Sequence, residues 1–139
     1  MTLSEMFKRL GAPLVNTRWS WGAIRASDGA VFLRVWQDRV MKHEGKRYVL
    51  VARIKDRDKA PEKLGQQERL EHIERIREGA ACYMVMCLVE DKDAIPRKIK
   101  SFNKEDVFVG GEVIELDSII YIELADRVPV SAVREKQNA

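Results

Sequence analysis

Asp28-Gly29 lies between two segments in which apolar and polar residues alternate, and that arrangement leaves few folds open. An Asp-Gly pair accepts the left-handed backbone that a tight hairpin turn demands. Residues 19–26 before it and 31–36 after it, with an extension towards Val40, therefore read as antiparallel strands. In the second strand Val31, Leu33 and Val35 face one side, and Phe32, Arg34 and Trp36 the other. His43-Glu44-Gly45-Lys46 is a second polar turn and residues 48–54 a third strand, so the opening strands form a meander.

Helical spacing appears twice. Leu3, Met6, Phe7 and Leu10 make one apolar stripe, with Thr2 or Ser4 to cap it and Gly11 and Pro13 to stop it. Residues 66–78 carry Leu70, Ile73 and Ile76 or Arg77 as a second stripe, with Glu68, Arg69, Glu71, Glu74, Arg75 and Glu78 around the rest and Gly79 at the end. Between them, the charged stretch 55–65 with Pro61 is expected to be a mobile connection.

Residues 81–89 are the most apolar run and are expected to be a central strand. A short basic strand over 97–102 follows. Residues 107–116 form a strand interrupted at Gly110-Gly111 by a bulge. Asp117-Ser118 turns the chain into a returning strand over 119–124, and 128–133 closes the sheet, leaving 134–139 as a frayed tail. The fold expected is α+β: a single domain over 1–139, with a small curved antiparallel sheet or barrel of about six to eight strands, an N-terminal helix and one central helix.

A chain of 139 residues can bury a core without staples. Its 45% apolar and 34% charged content is that of a folded protein, and a net charge of +3 permits contact with phosphate without demanding it. Cys82 and Cys87 are five apart, so on one strand they face opposite sides and cannot pair. Their apolar setting reads as two buried thiols in a reducing compartment. No apolar run reaches the roughly 18–20 residues of a membrane span, and the N-terminus lacks the pattern of a signal peptide. A cytoplasmic protein with no membrane partner is expected.

Chemistry-bearing patterns are sparse. His72 follows Glu68 by four residues on the central helix, but no HExxH motif completes a metal site, and a solvated helix face is expected. His43 sits in a turn. Gly110-Gly111 lacks the spacing of a dinucleotide loop, no GxSxG elbow occurs, and Glu90-Asp91-Asp93 lacks EF-hand spacing. Neither a catalytic residue, a metal ligand nor a cofactor is expected, which favours binding over catalysis.

The dense segment is 16–36, which holds all three tryptophans. Trp19, Trp21, Ala23 and Arg25 share one face of the first strand, and hairpin closure at Asp28-Gly29 would set them beside Phe32, Arg34 and Trp36. Indoles stack on bases and arginines contact phosphates and base edges. Core packing under a cover of arginines is the other use of such residues, and the sequence leaves both open. In the basic strand Lys98, Lys100 and Phe102 would share a face, with Arg97 and Ile99 on the other, as a phosphate-binding ridge or a lysine-protected edge. The nucleic-acid-binding set expected is Asn16, Arg18, Trp19, Trp21, Arg25, Arg34, Trp36, Lys98 and Lys100.

The order of elements resembles the PUA-like superfamily, the small β-barrels that include SRA, EVE and ASCH domains. Residues 16–22 followed by Val31-Phe32-Leu33-Arg34-Val35-Trp36, and Glu68-Arg69-Leu70-Glu71-His72-Ile73-Glu74-Arg75-Ile76 leading into Tyr83, are similar to amino-terminal modules of HNH-type restriction nucleases. The resemblance implies a module that reads DNA, with a modified base as a candidate target. The resemblance further implies no catalytic activity of its own, with cutting left to a separate nuclease partner. The alternatives are a protein-interaction or regulatory module acting as a homo-oligomer, and a small enzyme using His72 or Glu68.

Overall fold

In the computed structural model, residues 1–54 and 64–134 are described. Most of the connection expected over 55–65 and of the tail over 134–139 lies outside them. The first apolar stripe forms α1 (Leu3–Arg9), with the Thr2 side chain accepting from the Glu5 N–H at 3.2 Å. Met6, Phe7 and Leu10 are fully buried, each contributing about 1.5–3 kcal/mol. Gly11 adopts a φ of 80°, which ends the helix.

Among the described residues, eight strands form one mixed sheet: β1 (Gly22–Ile24), β2 (Val31–Trp36), β3 (Val40–His43), β4 (Lys46–Arg53), β5 (Cys82–Val89), β6 (Ile99–Phe102), β7 (Asp106–Leu116) and β8 (Ile119–Pro129). Their order is β1-β2-β5-β7-β8-β4-β3, with β6 also on β5. Two helices join α1: α2 (Leu64–Arg77) and the short α3 (Val130–Val133). The α+β class, the N-terminal helix and the central helix stand as the sequence suggests. The sheet is neither wholly antiparallel nor closed.

Several expectations are corrected by local chemistry. The meander breaks at a 3-10 turn over Gln37–Arg39, so β3 and β4 leave β2 and pair at the opposite end of the strand order. The stretch from β3 through α2 is then long enough to act as a crossover, and β5 returns parallel to β2, with Val31 opposite Cys82 and Trp36 opposite Cys87. The strand expected over 19–26 shrinks to Gly22–Ile24 because Asn16 closes a turn in front of it. The Ser20 N–H donates to the Asn16 carbonyl at 2.9 Å, and the Arg18 N–H to Asn16 Oδ1 at 2.8 Å. At the other end, β8 runs on to Pro129 and residues 130–133 turn helical, so no separate closing strand forms.

The sheet has two apolar faces. Val31, Leu33 and Val35 pack with Val49, Val51, Met84, Ile122 and Ile73 of α2 in one core. Phe32, Val85, Val107 and Ala23 pack under α1 in the other. The first core joins β2 to β4 although four steps of the strand order separate them, so the sheet folds back on itself. Cys82 and Cys87 are buried free thiols on opposite faces.

Candidate nucleic-acid interface

The hairpin register sets Ala23 opposite Phe32 and brings the Arg34 N–H to the Trp21 carbonyl at 2.9 Å. Cross-strand neighbours share a face, so Trp21, Arg34 and Trp36 meet on the side of the sheet that α1 covers further along. Arg34 Cζ lies 5.9 Å from the ring centroid of Trp21 and 5.4 Å from that of Trp36. Arg97 lies 4.7 Å from Trp36, and Arg69 5.8 Å from Trp21. Arg97, Trp36, Arg34, Trp21 and Arg69 thus follow one another in contact, each pair worth about 0.5–2 kcal/mol.

Negative charge along this row is scarce. Asp38 accepts from Arg97 Nη2, and that bond holds the Asp38 carboxyl below its ordinary value. Arg97 Nε and Nη1 are buried without an acceptor. The half-buried guanidinium of Arg34 has no hydrogen-bond or ion-pair partner among the described residues. Burial pushes its pKa down, with the Cys87 thiol acting weakly the other way.

Helix α2 supports the row from beneath with buried polar groups. Arg69 donates to the carbonyls of Val51 at 2.9 Å and of Trp21 and Arg34 at 2.8 Å each. It therefore ties the β1–β2 edge to β4 where no strand pairing exists. Burial first, then the neighbouring Arg34, pushes its pKa down. Glu68 accepts from the Ser20 hydroxyl at 3.1 Å, while its Oε1 has no partner. Burial pushes its carboxyl up, opposed by Ser20 and by the Trp21 backbone. His72, one turn on, is buried with Nδ1 unpartnered, and burial together with Arg69 brings it down to about 4. The solvated helix face expected for His72 and Arg69 is thus corrected: both point into the fold.

The predicted residues separate into distinct roles. Trp21, Arg34 and Trp36 come together. Trp19 does not join them, because the Asn16 turn removes it from the strand. Asn16 is spent on that turn, and Arg18 is exposed on it. Arg25 is buried and structural: it donates to Asp28 and to the carbonyls of Leu10 and Val133, tying both ends of the chain to the hairpin.

Lys98 and Lys100 are exposed beside the row, on and just before the edge strand β6. Their expected facing is altered by a bulge: Ile99 lies opposite Val89 and Phe102 opposite Cys87. Val89 and Cys87 share a face of β5, so Phe102 sides with Ile99 instead of alternating with it. Lys100, Phe102, Ile99, Ser101 and Lys104 line a shallow depression of about 300 Å³ with Met1 and Leu3.

Arg69 and Asp38 were not singled out as site residues by the sequence, Glu68 was weighed only together with His72, and Arg97 only as part of the basic strand. Among the described residues, no three His, Cys, Asp or Glu side chains group so as to hold a metal ion, and no helix is long and apolar enough to cross a membrane. No family model, curated protein or solved structure matches the chain.

Proposed function

We propose that this protein is a cytoplasmic nucleic-acid-binding module, with DNA as ligand, that acts through the face carrying Arg34, Trp36, Arg97, Lys98 and Lys100. The observation that carries the reading is the contiguous row of three guanidiniums and two indoles in which Asp38 is the one carboxylate ion-paired with a row guanidinium among the described residues. Exposed Lys98 and Lys100 extend the positive surface from its Arg97 end. A polyanion with flat bases suits such a surface through phosphate contacts and arginine contacts to base edges.

The PUA-like relationship belongs to this proposal too. A sheet that folds back so that Arg69 bridges β2 and β4 is compatible with a barrel of that kind. The module reads its ligand and leaves any cleavage to a separate nuclease partner; a modified base is the more specific target to try. Binding of labelled single- and double-stranded oligonucleotides, plain and modified, across a salt titration tests the reading. Affinity that falls with rising salt and drops in a Lys98→Ala, Lys100→Ala variant is the expected result. No binding to any of them at low salt ends it.

A further inference from the structure

The indoles of Trp21 and Trp36 already carry guanidiniums: Arg34 lies against both, Arg97 against Trp36 and Arg69 against Trp21. The group with unused bonding capacity is therefore Arg34 and not the rings beside it. A guanidinium has five N–H donors and no acceptor, and those of Arg34 meet no carboxylate, carbonyl or hydroxyl among the described residues. Arg69 is engaged differently, by three carbonyls with its Nε buried and unpartnered, and Arg97 is engaged by Asp38. Unlike Arg97 Nε and Nη1, the donor atoms of Arg34 are not among the groups sealed from solvent without a partner.

We infer that Arg34, clamped between Trp21 and Trp36, is an oxyanion site that takes a phosphate group. The clamp restricts the side chain before any ligand arrives, so little rotamer freedom is lost on binding. The planar fork matches two oxygens of one phosphate, and such charge-assisted bonds are about twice as strong as neutral ones. Arg97 and Arg69 add positive potential from either end of the row. An arriving anion also offsets the burial that disfavours the charged guanidinium. The identity of the phosphate's carrier rests on the nucleic-acid reading above; the site itself does not. The indoles are then positioning residues that hold the guanidinium and need not stack on bases.

The test uses intrinsic fluorescence, because two of the three tryptophans flank Arg34. The whole protein is titrated with inorganic phosphate at constant ionic strength, with chloride as the balancing anion. A saturable change in emission is expected in the wild type, its loss in Arg34→Gln, and a weakened response in Arg34→Lys, which keeps charge but not the fork. Urea midpoints identify any variant that fails to fold, and Arg34→Lys then carries the comparison alone. No phosphate response in the wild type, or an equal response in wild type and folded variants, overturns the site. Oligonucleotides of one sequence with a 5′-phosphate or a 5′-hydroxyl separate the sources. Preference for the phosphorylated strand assigns a terminal phosphate, and equal, Arg34-dependent binding assigns an internal diester. Arg34→Gln should weaken the bound form about tenfold to a hundredfold. If phosphate binds through Arg34 while no oligonucleotide binds, the site stands and the nucleic-acid reading falls. If oligonucleotides bind equally to wild type and Arg34→Gln and the phosphate response is likewise unchanged by the variant, nucleic-acid binding stands and the site falls.

Discussion

Arg69 holds a position that hydrophobic patterning assigns to water, and it does so because three carbonyls converge where the strands do not pair with one another. The carbonyls of Trp21, Arg34 and Val51 converge at the seam where β1–β2 approaches β4 without pairing, and one planar cation donates to all of them. Bonds to a charged donor are worth about 1.5–3 kcal/mol each, against the desolvation of burying the charge. Arg69→Leu is expected to lower stability by about 3 kcal/mol, read from urea unfolding. An unchanged midpoint would mean that the seam is held by its apolar core alone. His72 makes a pH-dependent contribution nearby. Its folded pKa of about 4 lies below the ordinary value of 6.5, so the unfolded chain takes up the proton first as pH falls. Stability should decline between those two values and level off below the lower one, by at most about 3 kcal/mol. Glu68, raised by burial, works in the opposite sense, since protonating it in the fold removes a buried charge. His72→Leu should therefore flatten or reverse the acid limb, measured as the urea midpoint against pH.

At the level of elements, the row depends on how closely α2 can approach the hairpin. A Cβ on Gly65 would sit 2.5 Å from Trp21 Cε2 and 2.6 Å from the Trp19 carbonyl. Gly65→Ala should therefore push the helix start off the indole, cost about 1–3 kcal/mol, and shift the tryptophan emission of the folded protein. A variant with wild-type midpoint and emission would show that the helix start shifts freely. Much of the element pattern was legible in the chain. Asp28-Gly29 and Asp117-Ser118 turn where expected, Gly29 and both residues of the second pair with positive φ, and the alternation of the second strand survives as burial over Leu33–Trp36, while Phe32 is buried under α1 on the other face. What escaped has physical causes. Asn16 competes for the backbone and shortens β1. Pattern reading cannot tell a strand that continues from one broken at Gln37–Arg39, so the parallel pairing of β2 with β5 was out of reach. A buried arginine bonded to carbonyls looks, in sequence, like a solvated one. For the candidate site, the meeting of Trp21, Arg34 and Trp36 followed from the hairpin, whereas Arg97 and Arg69 joined them through contacts distant in sequence.

For the molecule as a whole, a net charge of +3 is too small to drive binding from afar, so the placement of charge has to carry it. Lys98 and Lys100 extend the guanidinium row along an edge strand, and their exposure leaves them free to act on a polyanion without a packing role. Each lysine that neutralises a phosphate releases counterions, which steepens the dependence of binding on salt. Lys98→Ala with Lys100→Ala should therefore lower the slope of log affinity against log salt by up to about two, by similar amounts for every sequence tested. The urea midpoint should stay within about 0.5 kcal/mol of wild type, as for ordinary surface substitutions. Arg34→Gln should differ in kind, weakening affinity by more than its share of the slope, because it removes a fixed fork as well as a charge. If the double lysine variant loses affinity with its slope intact, the lysines contribute something other than phosphate contact. If affinity and slope both persist, the polyanion lies elsewhere, and the open edge of β6 is better read as protected against strand pairing with another copy.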